Sequence, residues 1–202
     1  MAARKRTNPK RVPVSPASID QDAILAEVSR DNLYYAWLLV LPSLLDLDGM
    51  TRAKIVEIWD SVNQYASDPK FTGDRVNTEI SRAEKLMGYI EPHQNLSFER
   101  VRSQGDLDAL KRKLKENAIH SALCIIYLGL EAIKALDENA MRRLFLNASI
   151  TLAEVQQGLY TYSDLEGALR ENGISLHESK DDMLISDEDV GLASEDSSAI
   201  IS

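Results

Sequence analysis

Between residues 106 and 136 the chain reads DLDALKRKLKENAIHSALCIIYLGLEAIKAL, and its apolar pattern changes halfway along. On a helical projection Leu107, Leu110, Leu114, Ala118, Ala122, Ile125, Gly129, Ala132 and Leu136 fall on one face, as a 3.6-residue period requires. From Ile119 onward a second set, Ile119, Leu123, Ile126, Leu130 and Ile133, covers the adjoining face. A helix wet in its first half and nearly surrounded in its second needs neighbours on several sides, so it belongs at the centre of a bundle. Asn117 is a place where it can kink or split. Glu116, His120, Cys124, Tyr127 and Glu131 form the remaining polar strip, which is expected at the surface.

The other segments supply that bundle. Ser18 or Asp20 can cap a helix reaching about Leu41, where Pro42 stops it, and residues 33–41 (LYYAWLLVL) leave its last two turns no polar face. After a loop at residues 46–49, a helix over about 50–66 turns Ile55, Ile58, Trp59, Val62 and Ala66 inward. The connector SDPKFTGD ends in Asp74, an N-cap for a helix to about Tyr89 with Val76, Ile80, Ala83 and Met87 facing the core. A short helical piece follows Ser97, and Gly105 with Asp106 starts the central helix. Met141, Leu144, Phe145 and Ala148 mark another helix. Thr151 with Glu154 forms a capping box for one bearing Leu152, Val155 and Leu159, and a last helix runs from Ser163 to the left-handed cap Asn172-Gly173. No alternating stretch with a hairpin signal appears, so strands are not expected. The expected fold is all-α, one helical-bundle domain of about six to eight helices, a count read from pattern.

Charge divides the chain. Residues 1–17 form a basic extended arm with Arg4, Lys5, Arg6, Lys10 and Arg11 and no acid before residue 17. Residues 18–173 form the helical domain, and residues 174–202 form an acidic tail expected to be disordered, with eight acids against Lys180. Of the net charge of −9, the arm contributes +5 and the tail −7, leaving about −7 on the body. Such a body repels a phosphate backbone, so nucleic-acid binding would depend on the arm. The basic start has no uninterrupted apolar run, and the longest apolar stretches are broken by Pro42 or by Glu131 and Lys134, so neither a secretory signal nor a membrane span is expected. One cysteine, Cys124, excludes an intrachain disulfide and suits a reducing compartment; the expected location is cytoplasmic.

The sequence leads to the expectation of no catalytic residue, no cofactor and no metal ligand. His120 and Cys124 lie one turn apart, but nucleophilic catalysis also needs an orienting group and oxyanion donors, which a regular helix interior does not offer. No two histidines have HExxH spacing, and a single cysteine cannot make a cysteine-based zinc site. In DLDGMTRAKIVE, Asp46, Asp48 and Glu57 occupy the first, third and twelfth places of a calcium loop, but Met50 replaces an oxygen ligand and Thr51 the turn glycine. GxxxxGK[ST], GxGxxG and GxSxG are absent. The first half of residues 151–174 has the apolar spacing of a helix-turn-helix, yet Gln156 stands where a small residue is usual, Tyr160, Thr161 and Tyr162 lengthen the turn, and Asp164, Glu166 and Glu171 against Arg170 make the second helix acidic. In the tail, MLIS between acid pairs has the form of a short linear motif, with a solvated tail as the simpler reading.

The segments ARKRTNPKRVPVSPASI, YAWLLVLPSLLDLDGMT, IVEIWDSVNQYAS and GLYTYSDLEGALRENGI resemble parts of small helical proteins found in prophages and integrative elements of Firmicutes. The resemblance covers about half the chain and leaves residues 68–149 unmatched; it implies a phage or mobile-element setting and no activity. The expected function is therefore that of a non-enzymatic accessory or regulatory protein of a mobile element, acting by protein–protein interaction. The alternative is a nucleic-acid-binding protein using the basic arm. Trp37, Trp59, Tyr34 and Tyr35 can fill either a homo-oligomer interface or the monomer core.

Overall fold

Two apolar segments meet at the centre of the molecule. Helix α2 (Asn32–Leu45) is buried on every side from Ala36 to Leu41, and helix α5 (Gln104–Ala132) is buried almost all round from Ala122 to Leu130. They pack against each other because neither has a polar face to offer water there. Helices α1 (Gln21–Ser29), α3 (Arg52–Ala66) and α4 (Arg75–Met87) lean on α5, while α6 (Glu138–Gln156) and α7 (Tyr162–Glu171) lean on α2. A 3-10 turn at Phe98–Arg100 precedes α5. The structure, a computed structural model, describes residues 19–68, 75–87, 96–178 and 183–186. Among these the fold is all-α, with one short hairpin. The basic arm, the Asp74 cap and the last sixteen residues of the acidic tail lie outside the described residues.

The aromatic residues join this core. The Trp37 and Trp59 rings lie 4.6 Å apart, and the Trp37 indole N–H donates to Asn63 Oδ1 at 3.1 Å. That bond satisfies the only polar atom of a fully buried ring. Tyr34 is buried too, so Trp37, Trp59 and Tyr34 belong to the core, while Tyr35 is half-buried and packs against it.

Several boundaries differ from the expectation. The first long helix is two: Asp31 adopts the left-handed region (φ 65°), a conformation that aspartate tolerates better than most residues. The break lets α1 lay Ile24 and Val28 on α5 while α2 runs through the core. Pro42 does not stop α2, which continues to Leu45; Leu41 and Leu44 on either side are fully buried, and their packing offsets the one hydrogen bond a proline removes. α5 begins at Gln104, with Ser103 as its cap accepting from the Asp106 N–H at 3.2 Å, and passes Asn117 without splitting. Thr151 starts no helix. It lies inside α6, whose 19 residues run unbroken to Gln156, because an S/T-x-x-E pattern caps a helix only where the preceding backbone is extended. The capping box stands instead at Thr161, which receives the Asp164 N–H at 3.2 Å and donates its own N–H to the Asp164 carboxylate at 2.7 Å.

The largest correction lies beyond residue 173. Ser175–Glu178 (β1) and Met183–Ser186 (β2) form an antiparallel pair with Leu176 opposite Ile185. Ile174 and Leu176 are buried in the main core, so the ordered domain extends past Gly173 and MLIS is a strand rather than a free motif. Two four-residue strands are too short to present the sustained alternation by which strands are read.

Candidate functional site

The functional groups of the central helix were expected on an open strip. In the structure α4 and α6 cover much of it. His120 and Cys124, one turn apart on α5, meet Glu84 from α4: His120 Nε2 lies 3.1 Å from Glu84 Oε1 and 3.7 Å from Cys124 Sγ. The side chains of His120 and Glu84 are 20% and 17% exposed, and Cys124 is 0% exposed. Among the described residues these are the His, Cys, Asp or Glu side chains whose donor atoms converge as a trio, all within 4.8 Å of one another.

The geometry decides what this trio can do. In a nucleophile–base–orienter relay the base uses one ring nitrogen for the nucleophile and the other for the acid. Here the carboxylate and the sulfur both approach Nε2, so they compete for one position instead of forming a relay. Burial, and then the Glu84 carboxylate, push the Cys124 thiol up to about 12, so it is a thiol and not a thiolate at neutral pH. Three different donor types converging on one point is, by contrast, how a cation is held.

The rest of the strip divides. Tyr127 is 8% exposed and packs edge-on against Phe145 of α6 with ring centroids 5.0 Å apart; its phenol is raised, first by burial and then by Glu131. Glu131 is exposed and pairs with Arg82 of α4 at 3.2 Å. Glu116 is half-buried and acts electrostatically on the phenol of Tyr162 in α7. The five residues therefore do not make one open surface. Cys124 and Tyr127 are core residues, buried within the second half of α5. Glu84, the missed member, flanks the buried Ile80 and Ala83, so only the docking of α4 on α5 reveals it.

Two other features stand out. A cleft of about 450 Å³ lies among Tyr34, Tyr35, Leu38, Tyr162 and Leu176, and burial, followed by Tyr35 and Glu116, pushes the Tyr162 phenol up to about 12. On the outer side of α6, Leu146 and Ile150 stand one turn apart, 61% and 49% exposed, and Leu159 and Tyr160 in the following turn are 65% and 50% exposed. Asp46 terminates α2 and Thr51 caps α3, the ordinary work of residues in that loop. α7 packs on α2 and β1, which orients it by the core. No helix among the described residues is long and apolar enough to cross a membrane. No protein-family model, curated protein or solved structure matches the chain.

Proposed function

We propose that the chain is a non-enzymatic accessory or regulatory protein that binds a protein partner through the outer face of α6 and the turn after it. The observation that carries this reading is the grouping of exposed apolar side chains. Of seven large exposed hydrophobic residues among those described, four, Leu146, Ile150, Leu159 and Tyr160, fall within residues 146–160. Leaving such groups in water has no folding benefit, and their concentration in one segment suits an apolar partner surface. The approach of the Glu84 carboxylate and the Cys124 sulfur to the same nitrogen of His120, which makes no nucleophile–base relay, supports the non-enzymatic part. The mobile-element setting rests on the sequence resemblance alone. The nucleic-acid alternative rests on Arg4, Lys5, Arg6, Lys10 and Arg11, which lie outside the described residues.

The test replaces Leu146 and Ile150 together by aspartate. Both side chains face outward, so the thermal midpoint stays within a few degrees while capture of a partner protein from the native host is lost. Unchanged capture by the double variant, or a turnover that disappears on Cys124→Ala or His120→Ala, refutes the reading.

A further inference from the structure

We propose that Glu84, His120 and Cys124 together bind a zinc-class divalent cation that ties α4 to α5. This assigns a ligand site distinct from the α6 face.

The donor set is that of a borderline-soft ion: one imidazole, one sulfur and one carboxylate, types that zinc accepts together and that magnesium or calcium does not. The spacing fits as well. A tetrahedral zinc about 2.1 Å from nitrogen and oxygen and about 2.3 Å from sulfur separates nitrogen from oxygen by about 3.4 Å and nitrogen from sulfur by about 3.6 Å. The corresponding separations here are 3.1 and 3.7 Å. The remaining edge, from carboxylate to sulfur, is no more than 4.8 Å, and rotation about the side-chain bonds of Glu84 brings it to the spacing of a shared ion. Approach of both partners to the same ring nitrogen is unfavourable for a relay but is what three ligands of one ion require, since Nε2 supplies its lone pair to the metal and Nδ1 keeps the ring proton.

The site also has the right rigidity. His120 and Cys124 are fixed at i and i+4 on one regular helix, and the sulfur is fully buried beneath the histidine. Coordination replaces the thiol proton, which leaves to solvent, by a metal–sulfur bond. Three protein ligands leave one position of a tetrahedral ion for water, which can arrive on the side where Glu84 and His120 keep partial exposure.

Cobalt(II) is the probe, because it takes zinc's geometry and reports its ligands by colour. The full chain, without an affinity tag and with its thiol reduced, is titrated with cobalt chloride. The expected result is one cobalt per chain, with the visible bands of a four-coordinate ion and a sulfur-to-cobalt charge-transfer band in the near ultraviolet, all bleached by equimolar zinc. Cys124→Ser, close to isosteric in its buried position, removes the charge-transfer band. Glu84→Gln and His120→Gln each weaken binding by more than about 100-fold, since even loss of an outer partner of a metal ligand costs 10- to 100-fold. Circular dichroism of each variant separates lost ligation from lost folding; if His120→Gln unfolds, Cys124→Ser and Glu84→Gln decide the matter. Absence of a charge-transfer band in the folded parent chain, or the same band and affinity in Cys124→Ser, overturns the proposal.

Discussion

Replacing Gly129 by alanine sets two effects of known size against each other. Gly129 lies in the most enclosed part of α5, and a Cβ placed on it would come 2.8 Å from Val62 Cγ1, 3.2 Å from Val62 Cγ2 and 3.3 Å from Val62 Cβ. In an open helix the change would stabilise by about 0.8–1 kcal/mol through helix propensity. Here all three contacts are to one β-branched side chain that is itself 0% exposed, so it cannot rotate away without striking its own neighbours. Overpacking of that kind costs about 1–3 kcal/mol, which outweighs the gain. The expected net effect is a loss of about 0–2 kcal/mol, or a fall in thermal midpoint of up to about 8 °C for a domain of this size.

The decisive measurement is a double-mutant cycle by urea denaturation. Val62→Ala alone opens a cavity between α3 and α5 and is destabilising. In that background the two clashing methyl groups are gone, so Gly129→Ala restores helix propensity, fills part of the void and becomes stabilising. A change of sign between the two backgrounds is the prediction. If Gly129→Ala stabilises the parent chain with Val62 intact, the close approach of α3 and α5 at this point is refuted.

Three further outcomes follow from backbone geometry and capping. Lys134 adopts φ 51° just after α5, where its N–H reaches Glu131 O and the next N–H reaches Leu130 O; Lys134→Gly should raise stability by about 1 kcal/mol, measured by thermal melting, because a left-handed lysine is strained. Gly173 ends α7 at φ +71° with the Arg52 guanidinium against it, so Gly173→Ala should cost about 1–2 kcal/mol, whereas Gly167→Ala, inside α7 with open space beside it, should gain about 1 kcal/mol in the same urea assay. Asp164 has its carboxyl held below its ordinary range, first by its side-chain hydrogen bond with Thr161 and then by the Thr161 backbone. A depressed folded pKa gives stability that is present above the ordinary carboxylate range and is lost as pH falls through the folded value. Melting curves of the parent and of Asp164→Asn should therefore differ at neutral pH and converge in acid; a gap that widens in acid would contradict the capping box.

The central part of this fold is legible because burial on several sides leaves a mark in composition as well as in period. In α2 the run from Ala36 to Leu41 has no polar residue, and in α5 two adjoining apolar stripes require two sets of neighbours. Local breaks are harder to read. The left-handed Asp31 divides α1 from α2 without a glycine or proline to announce it, and Pro42 is carried inside a helix by tertiary packing around it. Thr151 has the residues of a cap in the middle of α6, while the actual cap, Thr161 with Asp164, follows a turn whose left-handed Gly158 closes the helix before it. The same limit applies to the candidate site. His120 and Cys124 are neighbours through helical spacing alone, but Glu84 joins them across 36 residues, and no local rule places it there.

That missing member also explains why a polar strip on α5 need not be a surface. α4 buries Ile80 and Ala83 and packs Val76 and Met87 more partly against the core, and such apolar contacts determine that the helix docks without fixing where along α5 it does so. Apolar faces tolerate a slide that polar partners do not, since a shifted carboxylate or guanidinium loses its counterpart. Glu84 opposite His120 and Arg82 opposite Glu131 supply two such constraints, one partly enclosed and one in water. The exposed pair contributes little energy because solvent screens it. The enclosed pair is the stronger constraint on register, and it shares its histidine nitrogen with the buried sulfur. The residues that align α4 on α5 are thus the same residues that can hold an ion, so occupancy of the site and the position of α4 should change together.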